Sequence, residues 1–143
     1  MKRIKKELVQ RIISHINKKD WWHVPPLDPL AYSKRGKFFS SSFRDAEFYG
    51  RPLDDPEHVT ISNPLLGDES TIIEVELFGK PIKHPEAGSP GSMEFQLELD
   101  ARMKRVALSK GYDSLVLMTP KEFFAYKGQG KMPRSIELNI LKP

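Results

Sequence analysis

The stretch Gly36-Lys-Phe-Phe-Ser-Ser-Ser-Phe-Arg-Asp-Ala-Glu-Phe-Tyr-Gly50 carries residue types suited to holding a flat ligand. Phe38 and Tyr49 lie eleven positions apart, one on a short strand and the other at the end of the helix after it. A strand–helix turn can bring two such rings to either side of a slot. A slot of that kind suits a planar ring by offset stacking, or a cationic ring by cation–π attraction. Ser40, Ser41 and Ser42 put three hydroxyls at the end of the strand, and Lys34, Arg35 and Arg44 are basic residues nearby. Strand alternation lets only one of Phe38 and Phe39 face the slot, and the spacing to Tyr49 favours Phe38. Phe38, Phe39, Phe43 and Phe48 can also be plain core residues. Farther along, Glu137 alternates with Ile136, Leu138 and Ile140 on the last strand. On the residues alone it can simply face solvent. Glu122, in the segment before that strand, is a competing carboxylate.

Other chemistries find less support. The histidines at 15, 23, 58 and 84 show no i,i+4 or His-x-His spacing, so no metal site is expected. The chain has no Gly-rich P-loop, no Gly-x-Gly-x-x-Gly and no Gly-x-Ser-x-Gly. Zero Cys in 143 residues excludes a disulfide scaffold and a thiol nucleophile. Apolar residues make up 38% and charged residues 29%, with a net charge of +4. This is the profile of one soluble domain, and the weak positive charge suits a polyanion or a phosphate-bearing small molecule. No apolar run approaches the ~20 residues of a membrane helix, and the basic start is too charged for a signal peptide. A cytoplasmic protein with no membrane partner is expected.

These residues need elements to position them. Residues 2–17 read as an amphipathic helix, with Ile4, Leu8, Ile12 and Ile16 at i+4 steps and Lys2, Arg3, Lys5, Lys6 and Arg11 on the opposite face. Residues 21–24 are strand-like, and Pro25, Pro26 and Pro29 then force an extended stretch. A turn is expected at 33–36, a strand at 38–40, and a helix over 43–50 capped by Ser42 or Ser41. A strand at 58–62 closes at Asn63-Pro64. Residues 70–78 fit either a strand or a short helix. Residues 93–110 form a helix ended by Gly111, 114–118 a buried strand, 119–134 a loop, and 135–141 the last strand. The fold class is α+β with mostly antiparallel pairing, in a single domain over 1–143.

His23 after an aromatic run, then Gly36, Phe38-Phe39-Ser40-Ser41-Ser42, Ala46, Tyr49-Gly50 and a late strand bearing Glu137 resemble the ADP-ribosyltransferase superfamily. The likeness is closer to its small bacterial and phage members, including those within polyvalent phage proteins. It takes in Asn63-Pro64-Leu65, Gly111-Tyr112-Asp113 and the terminal IELNILKP, so it spans 21–143 and leaves 2–19 as a helical extension. The resemblance implies a split β-sandwich of two small sheets that binds NAD⁺, as substrate, in the cleft between them. It implies that His23, with Val24 beside it, holds the adenosine-side ribose. Phe38 and Tyr49 would take the two ring-stacking positions, Ser40-Ser41-Ser42 would support the cleft, and Glu137 would be catalytic. The implied activity is mono-ADP-ribosyl transfer to a protein or nucleic acid by a toxin-like effector. With water as acceptor it becomes an NAD⁺ glycohydrolase.

The chain departs from the family pattern at Val24-Pro25, where a hydroxyl and a backbone N–H are lost, and at Phe38, where a Tyr hydroxyl is lost. Ser135 stands two positions before Glu137, where members that modify Arg, Asn or Gln side chains carry Glu or Gln. A degenerate module that binds nucleic acid or a host protein through its basic helix is the alternative reading. NAD⁺-dependent removal of a 2′-phosphate from RNA ranks third, because it needs a larger Arg and His cluster than Arg35, Arg44 and Arg51.

Overall fold

A computed structural model describes residues 4–68 and 71–143. Its centre is a four-stranded sheet of order β2-β6-β5-β4, formed by β2 (Lys37–Ser40), β6 (Glu137–Ile140), β5 (Ser114–Met118) and β4 (Pro64–Asp68). The β2–β6 and β6–β5 ladders are antiparallel, and β5–β4 is parallel. A two-residue antiparallel ladder joins β1 (Asp20–Trp21) to β3 (Glu57–His58). The described residues form a mixed α+β protein with these two sheets and six helices.

Side-chain alternation splits the core between the two faces of the large sheet. One face carries Phe39, Leu66, Val116, Met118 and Leu138. It packs on Ile12, Ile13 and Ile16 of α1 (Lys6–Asn17) and on Phe123 and Tyr126 of α6 (Pro120–Gln129). The other face carries Leu65 and Leu115. It packs on Ile73 and Leu77 of α4 (Thr71–Phe78) and on Leu99, Met103 and Ala107 of α5 (Ser92–Ser109). The helix α1 therefore belongs to the same core as the strands; Ile12 and Ile16 are fully buried. Among the described residues no helix is long and apolar enough to cross a membrane.

Several elements differ from the sequence expectation. Of the expected strand 58–62, only His58 joins a ladder, as the second residue of β3. The Asn17 amide takes the place of a partner strand, donating to the Ile61 carbonyl at 3.0 Å and accepting from its N–H at 2.8 Å. The real strand, β4, begins at Pro64, the position read as a stop. A proline is tolerated as the first residue of a strand, where it breaks no ladder bond. The expected loop 119–134 contains α6, with Pro120 in its first turn and the Thr119 hydroxyl accepting from the Glu122 N–H at 3.2 Å. The expected turn at 33–36 belongs mostly to the short helix α2 (Ala31–Arg35). The described part of the ambiguous segment 70–78 resolves to α4, and residue 70 lies outside the described residues. The helix after the serines, α3 (Phe43–Glu47), is shorter than 43–50, and Ser42 is its cap, accepting from the Asp45 N–H at 3.0 Å. Lys2 and Arg3 of the expected basic face lie outside the described residues.

Two of the resemblance motifs meet at the entry to the parallel pair. Asn63 donates to the Gly111 carbonyl at 2.7 Å, and Asp113 accepts from the N–H groups of Ser62 and Asn63. Burial alone would raise the Asp113 pKa, but these bonds and those from the Ser62 and Ser114 hydroxyls hold it below the usual carboxylate range.

The entry to β2 is tighter still. Gly36 has φ +90°, and a Cβ there would stand 2.1 Å from Asn139 Oδ1 and 2.8 Å from the Ile140 carbonyl oxygen. Both strain and collision oppose any side chain. Gly36→Ala should lower the unfolding free energy by at least about 2 kcal/mol, read as a shift in urea midpoint. A midpoint within error of the wild type would refute this account of the turn.

Candidate functional site

The sheet face that meets α5 is not filled across its whole width. On the β2 side it leaves a cavity of about 860 Å³, lined by strand residues Phe38, Ser40, Leu117, Glu137 and Asn139 among others. The register explains the set. Phe38 pairs with Asn139, Ser40 with Glu137, and Glu137 with Leu117, so all five point to one side. Phe39, one residue on, points to the other side and is 4% exposed in the core. A second cavity of about 350 Å³ shares Ser40, Tyr49, Leu117 and Glu137 with the first, and adds Arg44, Asp45 and Ser135.

Glu137 opens β6 at the junction of the two cavities, and its Oε2 accepts from the Tyr49 hydroxyl at 3.1 Å. The residues just before it are pinned. The Ile136 N–H donates to Ser41 Oγ at 3.1 Å, and the hydroxyls of Ser41 and Ser135 donate to Asp45 Oδ2 at 3.3 and 3.0 Å. The three serines thus do separate jobs. Ser40 lines both cavities, buried Ser41 holds the start of β6, and Ser42 caps α3.

His23 is 4% exposed, and both of its ring nitrogens are engaged. Nδ1 lies 2.7 Å from the Phe38 carbonyl and Nε2 lies 2.9 Å from the Tyr32 hydroxyl. A carbonyl only accepts, so Nδ1 carries the hydrogen and Nε2 accepts from Tyr32. A ligand hydroxyl reaches Nε2 only by displacing Tyr32, which also lines the larger cavity. Burial lowers the His23 pKa, and Lys37 adds to this; the Phe38 carbonyl and Glu57 oppose it without prevailing.

The structure brings Val24, Arg35, Phe38, Ser40 and Tyr49 around the larger cavity with His23 and Glu137. Arg35 stands near Asp100, whose pKa burial raises. Arg44 lines the smaller cavity, whereas Lys34 is exposed and lines neither. Glu122, the competing carboxylate, also lines neither. Its Oε2 accepts from the Arg134 N–H at 2.6 Å, which ties the segment after α6 back onto that helix.

Sequence reasoning missed Tyr32, Asn139, Glu74 and His84 as lining residues. Nothing in their local pattern marks them, because distant turns bring them together. It also missed Asp45 as the anchor of β6. The Ser42-x-x-Asp45 spacing of a helix start was a signal for its position, but not for that long-range role.

Since burial holds the pKa of the folded His23 below the usual histidine value of 6.5, it should be neutral at pH 7. Its contribution to stability is complete above that value and is lost as pH falls through it, because the unfolded chain then takes a proton that the folded chain resists. A histidine NMR titration should place its midpoint below 6.5, and a midpoint at or above that value would contradict the burial argument. Comparison with protein-family models, curated proteins and solved structures gives no match.

Proposed function

We propose that this chain is an NAD⁺-dependent ADP-ribosyltransferase with an ADP-ribosyltransferase-like fold, in which the cavity between the β2 side of the large sheet and α5 is the NAD⁺ cleft. The observation that carries the reading is Glu137. It stands at the junction of two cavities, its carboxylate is bonded to Tyr49, and its neighbouring residues are pinned by Ser41 and Asp45. A cavity of about 860 Å³ lies within the roughly 300–1,000 Å³ of small-molecule sites.

The chemistry follows from residue types and positions. Nicotinamide in NAD⁺ is a planar cation, and the Phe38 and Tyr49 rings, both on the larger cavity, suit it. As the glycosidic bond breaks, positive charge grows on the ribose. The Glu137 carboxylate, bonded to the ribose 2′-hydroxyl, stabilises that charge where it develops. The carboxylate is held in place before the reaction, so little reorganisation is needed during it. Arg35 offers the diphosphate a bidentate donor. The smaller cavity, on the other side of Glu137, receives the acceptor. Its rim carries Phe48, 86% exposed, and Arg44, which suit a macromolecular surface, protein or nucleic acid. In the absence of an acceptor, water takes its place and the products are ADP-ribose and nicotinamide.

Purified protein should release nicotinamide from NAD⁺. Glu137→Gln should slow release at least about tenfold with an unchanged melting temperature, since the amide keeps the shape but not the charge. Phe38→Ala should weaken NAD⁺ binding in calorimetry by about tenfold. Absence of both NAD⁺ binding and turnover in the wild type would refute the proposal.

A further inference from the structure

Glu74 sits on α4 with 1% of its surface exposed, and both carboxylate oxygens are occupied. Oε1 accepts from the Ile82 N–H at 2.6 Å, and Oε2 lies 2.7 Å from His84 Nε2. A carboxylate accepts, so Nε2–H donates to it, and in the neutral imidazole the lone pair then falls on Nδ1. Among the described residues, that nitrogen has no hydrogen-bond partner. About a third of the His84 side chain is exposed, and both Glu74 and His84 line the larger cavity. Phe95 stands edge-on to the imidazole with ring centroids 5.6 Å apart. Met93 and Leu97 line the same cavity from α5.

The pair is well placed to contact whatever fills the cavity. Glu137 pairs with Leu117, and Leu117 pairs with Gly67, so β4 lies two strand spacings, roughly 10 Å, from Glu137. Ile72 and Ile73 of α4 close over Gly67, where a Cβ would stand 2.9 Å from Ile72 Cγ2. Glu74 follows them directly. His23 lies toward the opposite edge of the sheet, beside the Trp22–Ser40 bridge. Glu137 therefore lies between His23 on one side and the Glu74–His84 pair on the other. A lone pair beside an aromatic ring, on a cavity that Met93 and Leu97 also line, suits a flat ring that carries an N–H donor.

We propose that His84 Nδ1 accepts a hydrogen bond from an amino group carried on a flat ring of the bound ligand, with Glu74 positioning the imidazole. This assignment rests on reading the cavity as an NAD⁺ site. It deepens that reading by naming a specificity contact outside the residues of the resemblance. NAD⁺ carries such a group at each end, as the adenine amino group and as the nicotinamide carboxamide.

The test measures calorimetric binding of three probes to wild type and to His84→Ala. The probes are NAD⁺, its hypoxanthine analogue, in which a carbonyl oxygen replaces the adenine amino group, and its nicotinic acid analogue, in which a carboxylate replaces the carboxamide. Wild type should prefer NAD⁺ over one analogue at least about tenfold, because that analogue sets an acceptor against the Nδ1 lone pair. His84→Ala should lose this preference, and the analogue concerned identifies which end of the dinucleotide lies at His84. In wild type, saturating NAD⁺ should also shift the ¹⁵N resonance of His84 Nδ1, a readout that does not depend on the variant folding. A preference that survives His84→Ala, or an unmoved Nδ1 resonance with NAD⁺ bound, overturns the assignment alone. Absence of NAD⁺ binding in the wild type overturns the reading of the cavity and this contact together.

Discussion

The structure depends on the pairing of β6 with strands on both sides. Glu137 to Ile140 bond to β2 on one edge and β5 on the other, and their side chains alternate between two different environments. Leu138, fully buried, fills the core under α1 and α6, while Glu137 and Asn139 face the cavity under α5. A register slip of one residue would exchange these sets, putting a carboxylate into the apolar core and a leucine into the cleft. The Ser41 contact to the Ile136 N–H, the Asp45 contact to Ser135, and the fit of Gly36 against Asn139 all fix that register from outside the ladder.

Polar groups near the cleft mostly hold geometry. The Asn139 amide donates to the Arg35 carbonyl at 2.9 Å, and Lys104, 8% exposed, donates to the Ser33 and Tyr32 carbonyls at the end of α2. Burial lowers the Lys104 pKa, while its bonds satisfy the Ser33 carbonyl that the short helix leaves open and add to the Tyr32 carbonyl, which also accepts from the Gly36 N–H. Tyr32, held in this way, presents its hydroxyl to His23. The wall of the cleft is therefore a connected set of bonds running from α5 through α2 to the loop after β1.

Much of this was legible from local sequence. The α5 stripe, the Gly111 stop, the buried run 114–118 and the alternation of 136–140 each carry their own periodic signal. The Ser42 cap and the opposite facing of Phe38 and Phe39 follow from equally local rules. What stayed hidden was decided at a distance. Val59 and Ile61 look like strand residues, but Asn17 supplies the hydrogen bonds that a neighbouring strand would have made. Pro64 and Gly67 look unsuited to a strand, yet β4 needs a missing N–H only at its first residue and a missing side chain only beneath α4. Pro120 reads as loop until its place in the first turn of α6 is known. Within the site, the spacing of Phe38, Tyr49 and Glu137 was visible, whereas Tyr32, Asp45, Glu74 and His84 gather there only through tertiary contacts.

The burial of α1 also bears on the order in which the chain can fold. Ile12 and Ile16 share one core with Val116, Ile136 and Leu138, and Tyr126 donates from its hydroxyl to the Leu8 carbonyl. The strand β2 likewise has no ladder partner until residues 137–140 exist. The β4–β5 pair, with α4 and α5 between its strands, can form from the middle of the sequence alone. During synthesis, β2 must therefore wait for β6 to emerge, while α1 gains its core partners in steps, Val59 and Ile61 first, then Val116, then Ile136 and Leu138. Closing loops of this length makes that final step slow relative to the local helices.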